Sequence, residues 1–176
     1  VVTLSANHNA SALLRFFPRF VVVLILLQFI VLAIHTSSVA STLIQHWLTQ
    51  AVAYIHQLLG TAFTVNGNVL THQQSLQYVI VDNQCTGLML LASVWAAIIG
   101  FARSLLKTLK MLIFAVIILQ AINVLRITHL FFEIGQANNN FEFYHLYFWQ
   151  TVNFISAVVV LFFLEKKFSC DRERHV

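Results

Sequence analysis

Long apolar runs alternate along this chain with short polar joints. Between Phe20 and Ile34 only Gln28 is polar, and with its flanks this run (20–36) approaches the ~20 residues that cross a bilayer. Three more runs share its character, at 85–102, 111–132 and 145–164. The second stops at Arg103, Lys107 and Lys110, the third contains Asn123 and Arg126, and the fourth ends in Glu165-Lys166-Lys167. Between the first and second runs the period changes twice. Over 39–60, Ala40, Leu43, Ile44, Trp47, Leu48, Ala51, Val52, Ile55, Leu58 and Leu59 recur at helical spacing, while Gln45, His46, Thr49, Gln50 and Gln57 fill the other side. That stripe predicts an amphipathic helix lying in the interface or capping a bundle, stopped at Gly60. Over 61–83, Phe63-Thr64-Val65, Asn66-Gly67 and Asn68-Val69-Leu70 give a hairpin signal, since Asn-Gly fits a tight type I′ turn. Leu76 to Val81 can supply a third strand.

The predicted architecture is an all-α integral membrane helical bundle of about four transmembrane helices. An amphipathic interfacial helix and a small β-hairpin or sheet lie on its outer face. One membrane domain spans 1–176: a cytoplasmic lead-in (1–19), the four spans, the amphipathic helix (39–60), the hairpin region (61–83), an outer loop (133–144) with the run Asn138-Asn139-Asn140, and a cytoplasmic tail (165–176).

Composition agrees with the pattern. Of 176 residues, 59% are hydrophobic and 9% charged, whereas soluble chains carry about 25% charged residues. The net charge of +4 raises nucleic acid as a partner, but its distribution argues for membrane orientation. Arg15 and Arg19 precede the first span, Arg103, Lys107 and Lys110 separate the second from the third, and Lys166, Lys167, Arg172 and Arg174 follow the fourth. Four crossings put all of them on one side, which the positive-inside rule makes cytoplasmic. A crossing at 39–60 would divide them, so that helix is not a fifth span. The first run also admits a reading as a signal peptide cleaved after Ser38-Val39-Ala40, but it is at the long end for such a segment. Cys85 and Cys170 make no disulfide framework and no zinc-ligand spacing, and neither a metal nor a cofactor is expected. His35, His46 and His56 have no metal-site arrangement, and His72 reads as a solvated loop residue.

Three chemically capable side chains share one depth zone under this topology. Cys85 opens the second span at the outer surface, inside Asp82-Asn83-Gln84-Cys85-Thr86-Gly87-Leu88. Asp82 or Asn83 can cap the helix there, and free N–H groups and the helix dipole near a first turn favour thiolate. Gly87 lets another backbone approach closely. The plainer reading of Cys85 is a small buried hydrophobe. Arg126 lies about six residues, or ~9 Å, short of the outer end of the third span. A guanidinium there costs at least ~2.5 kcal/mol, and such residues usually face a bundle interior or a polar cavity. It either snorkels to the outer headgroups or supplies a fixed positive charge for an anion or a developing oxyanion. His145 opens the fourth span. It is either a hydrogen-bonded interfacial anchor or, beside a thiol, a general acid and base. Its rival is His129, three residues after Arg126 on a neighbouring helix face, pointing with Asn123 and Glu133 as outer support.

Cys85-Thr86-Gly87-Leu88 opening a span, Asn123-x-x-Arg126 in the next, and His145 at the start of another resemble the exosortase/archaeosortase family. The match runs roughly from Phe63 to Leu164. The resemblance implies a cysteine protease or transpeptidase embedded in the cytoplasmic membrane, with its active site on the extracytoplasmic side. It would act on exported proteins carrying a C-terminal sorting signal: a short motif, a membrane helix and a basic tail. The family's Cys, Arg and His carry over to Cys85, Arg126 and His145, with Thr86, Gly87, Asn123 and His129 in supporting places. Asn123 would orient Arg126. Thr86 stands where the family more often has Ser, and many members have more spans. The rival is a non-enzymatic membrane protein binding an anionic ligand or a partner helix through Arg126. A redox or metal-handling protein is weaker, for want of paired thiols or clustered histidines.

Overall fold

The computed structural model describes residues 2–101, 104–136 and 140–169, with the side chains of 2–15, Glu165 and 167–169 left aside. Arg103, Cys170, Arg172, Arg174, Asn138 and Asn139 lie outside the described residues, as do the side chains of Arg15 and Lys167.

The chain runs α1 (Val2–Thr36), α2 (Ser38–Leu58), β1 (Phe63–Asn66), β2 (Val69–His72), β3 (Tyr78–Ile80), a 3₁₀ turn (Asn83–Thr86), α3 (Leu88–Gly100), α4 (Leu105–Glu133), a short α5 (Phe141–Phe143), a π-helical turn (Tyr144–Phe148) and α6 (Trp149–Ser169). Among the described residues, four segments are long and apolar enough to cross a membrane: Phe16–Thr36, Asn83–Gly100, Leu105–Glu133 and Phe141–Leu164. The lead-in expected at 1–19 belongs to the first helix, whose backbone is helical from Val2 and runs through Pro18. The third span starts at Leu105 rather than 111, so Lys107 and Lys110 sit in its first two turns.

α4 is the central element because its buried stripe changes partners along its length. Met111, Ala115 and Leu119, four apart, pack with Leu91, Val94 and Ile98 of α3 and with Ala157, Val160 and Leu164 of α6. Further on, Ile127, Phe131 and the following Ile134 pack with Leu48, Val52 and Ala53 of α2 and with Leu70, Val79 and Val81 of the sheet region. Asn123 and Arg126 occupy the same stripe at the junction of the two clusters and are both buried. α1 lies against α3, where the Gln28 amide donates to the Met89 carbonyl at 3.3 Å.

The three strands form an antiparallel sheet in the order β1-β2-β3. Asn66 pairs with Val69, so the two-residue loop is Gly67-Asn68 rather than Asn66-Gly67. Gly67 has φ +61° while Asn68 is not at positive φ, which is the II′ rather than the expected I′ pattern. On β3, Val79 faces the core, while Tyr78 and Ile80 face outward.

α2 buries a mixed face, with Leu48, Val52 and Ala53 beside polar groups, while His46, Gln50 and Gln57 of its expected polar side are exposed. Ser41, Thr49 and His56 are buried, whereas Leu43, Trp47 and Leu58 are exposed. Beside lipid, an apolar face needs no protein cover, and polar groups find partners only inside the protein. The His56 Nε2–H donates to the Thr128 carbonyl at 3.1 Å, and its Nδ1 accepts from the Thr61 hydroxyl at 3.3 Å. His72 is likewise buried on β2, where its Nδ1 accepts from the Ser75 N–H at 3.3 Å, so it is not a solvated loop residue.

Candidate functional site

The segment carrying Cys85 is held from three sides. Asp82 caps its turn, its carboxylate accepting from the backbone N–H of Gln84 at 3.0 Å and of Cys85 at 3.1 Å. The amides expected to stand open to a thiolate are therefore occupied by a carboxylate. Asn83 anchors the turn to α2, its Oδ1 accepting from the Ser41 hydroxyl at 2.7 Å and the Gln45 amide at 2.9 Å. Its Nδ2 reaches the His35 carbonyl at the end of α1. From the other side, α4 supplies two amides. Asn123 Nδ2 donates to the Cys85 carbonyl at 2.7 Å, and Gln120 Nε2 donates to the Thr86 carbonyl at 3.1 Å. Asn123, expected to orient Arg126, thus positions the backbone of the cysteine.

Gly87 links this turn to α3 at φ +69°, a left-handed conformation that L side chains rarely adopt. A Cβ there would lie 3.3 Å from Asn123 Cγ. The close neighbour is a side chain rather than the backbone the sequence predicts. Thr86 is buried, its hydroxyl donating to the Asn83 carbonyl at 2.7 Å.

Cys85 is half-buried, and its thiol lies 3.9 Å from the Ile80 carbonyl oxygen. It lines a cleft of about 220 Å³ with β3, Asp82, Gln84, Phe141 and His145. Arg126 lines a second cleft, of about 370 Å³, with Gly87, Asn123, Gln150, Asn153, Gln84 and His145. Its Nε is buried and has no hydrogen-bond partner. Cys85 and Arg126 therefore line two different clefts, with Gln84 and His145 lining both.

His145 lies in the π-helical turn and stacks on Phe141 at 5.4 Å between ring centroids. π turns recur at functional sites because the extra residue redirects side chains. His129 is placed differently. Its Nδ1 accepts from the Trp149 indole at 3.3 Å and its Nε2 lies 3.7 Å from Glu133, which ties α4 to α6, and it lines neither cleft. Among the described residues, no group of three His, Cys, Asp or Glu side chains could hold a metal ion.

A family model described as a transmembrane exosortase matches residues 4–163. The chain belongs to the transmembrane exosortase family. No curated protein and no solved structure matches it. This exosortase is a multi-pass membrane protein with four apolar helices of spanning length.

Sequence reasoning passed over Gln84 and the amides of Gln120, Gln150 and Asn153. A signal for three of them was present: amides inside apolar runs. Gln120 precedes Asn123 by three, and Gln150 precedes Asn153 by three, so each pair shares a helix face. Gln84 carries no such signal, because only the turn geometry directs it between the clefts.

Proposed function

We propose that this exosortase is a membrane-embedded cysteine transpeptidase that cleaves C-terminal sorting signals of exported, membrane-tethered proteins. Cys85 attacks the scissile carbonyl, and its thiol proton passes to His145. Arg126 stabilises the tetrahedral oxyanion. The C–N bond then breaks, His145 protonates the departing amine, and the acyl group remains on Cys85 as a thioester. His145 next deprotonates the incoming nucleophile, which takes the acyl group and releases the thiol. The substrate's membrane helix docks laterally. The site faces the extracytoplasmic side of the cytoplasmic membrane. In support, the described basic residues Arg19, Lys107, Lys110 and Lys166 all lie toward the span ends remote from Cys85.

One observation carries this reading: a buried guanidinium with an unpartnered Nε shares a cleft with His145, which also lines the cleft of the thiol. A charge kept at such cost is retained for an anion that appears transiently. The test is processing of a sorting-signal protein in cells carrying the substrate. Cys85→Ala, Arg126→Ala and His145→Ala should each stop cleavage while membrane insertion continues. Full cleavage by Cys85→Ala would end the proposal. The unpartnered Nε also fits a second reading, a non-enzymatic receptor for an anionic ligand, in which Arg126 matters and Cys85 is dispensable.

A further inference from the structure

The two edges of the small sheet differ, and only one opens onto the nucleophile. In the β2–β3 ladder the His72 N–H bonds the Gln77 carbonyl and the Val81 N–H bonds the Asn68 carbonyl. With Leu70 opposite Val79, these are the hydrogen-bonded positions of an antiparallel pair. Tyr78 and Ile80 are then the non-hydrogen-bonded positions, so their N–H and C=O groups point away from β2. They point along the edge that lines the Cys85 cleft. The Ile80 carbonyl is approached there by the Cys85 thiol, at 3.9 Å. β1, at the other edge, lines neither cleft.

Resting on the transpeptidase reading above, we infer that β3 is the substrate-docking strand: an extended peptide segment adds beside it as a fourth strand, and its N–H takes the Ile80 carbonyl in place of the Cys85 thiol. Added strands bind through main-chain hydrogen bonds and are selected by alternate side chains. The thiol marks the place of a peptide N–H, and its displacement frees the sulfur beside the incoming backbone. The cleft bounds the class of peptide. Ile127, Leu130 and Phe141 line it opposite β3, so the side chain directed inward is apolar. Past Gln84 and His145 the second cleft continues between α3, α4 and α6 to Asn153 and Phe154, a path for the chain on the far side of the scissile bond.

The experiment uses the full-length protein in nanodiscs, with Cys170→Ser so that one thiol remains. The probe is an apolar tripeptidyl chloromethyl ketone, and chloroacetone is its peptide-free counterpart. Cys85 alkylation rates are read by mass spectrometry. A series of ketones, each N-methylated at one backbone amide, should show alternation: methylation at every second amide slows alkylation by about fivefold per lost bond, and methylation between them does not. Ile80→Pro removes an N–H that β2 does not use. It should slow the ketone severalfold more than it slows chloroacetone. A ketone no faster than chloroacetone, or a methylation series without alternation, overturns the docking strand. The series uses unaltered β3, so it decides even where the proline variant misfolds. The processing assay on Cys85→Ala tests the chemistry separately, so failure of the docking strand is distinguishable from failure of the enzyme reading.

Discussion

At the scale of single residues, Gly87 and Asn123 do the work of placing Cys85. Gly87 combines a positive φ with contact against the Asn123 amide, so Gly87→Ala meets both obstacles. The left-handed backbone alone costs about 1–2 kcal/mol for an L residue, and thermal unfolding in micelles should register a loss of that order. Asn123→Ala leaves the Cys85 carbonyl without its donor, and should cost about 1–3 kcal/mol on the same measurement. Both variants should also slow substrate processing, because the cysteine backbone loses its support from α4. The candidate residues themselves are legible in the sequence. An arginine in an apolar run, a cysteine at a run's start and a histidine at another each stand out against a background of Leu, Ile and Phe. What each touches was not legible. Asn123 is expected from the resemblance to orient Arg126, yet its amide donates to a carbonyl 38 positions earlier in the chain. His129 shares that region of α4 and is used instead to join α4 to α6.

Elements show the limits of periodicity. The apolar stripe of α2 was plain, but the same pattern describes a helix with its wet side outward and one with its polar side against protein. The face α2 buries is mixed, and Ser41, Gln45 and His56 are the polar contacts that fasten it to the cysteine turn and to α4. His56 gives this docking a pH dependence. Burial keeps its ring below the ordinary histidine range; the Thr128 carbonyl bond opposes that effect, and the nearby His72 charge adds to it. The unfolded chain takes up a proton below about pH 6.5, where the folded ring resists one. Stability from the neutral His56 is therefore present above that pH and lost as pH falls below it. The melting temperature of the wild type should fall from pH 7.5 to pH 5, and His56→Gln should flatten that slope; a variant with an unchanged slope would exclude His56 as the source. The π turn at Tyr144–Phe148 could not be read from hydrophobicity, since it adds one residue to a turn without altering composition. Deleting Leu146 should return the segment to α geometry and redirect His145 relative to α6. Cleavage should then cease while the protein still inserts.

For the whole molecule, four spans and a small sheet over one end follow from run lengths, an Asn-Gly signal and the spacing of basic groups. The route of α4 through two cores does not, because a stripe of Met111, Ala115, Leu119 and Asn123 carries no mark of where its neighbours change. That change of neighbours puts the polar residues at the seam and opens clefts on both sides of His145. Orientation is tested by thiol labelling of intact cells. A membrane-impermeant maleimide should modify Cys85 from outside and leave Cys170 untouched; labelling of Cys170 alone would invert the topology. The most direct measurement of the central claim compares substrate cleavage rates of Cys85→Ala, His145→Ala and Arg126→Ala with those of their pairwise combinations. Groups that act as one unit are strongly non-additive. The account predicts that Cys85→Ala alone abolishes cleavage and that adding His145→Ala or Arg126→Ala makes it no worse. Cleavage that persists in Cys85→Ala and falls further with each added substitution would contradict it.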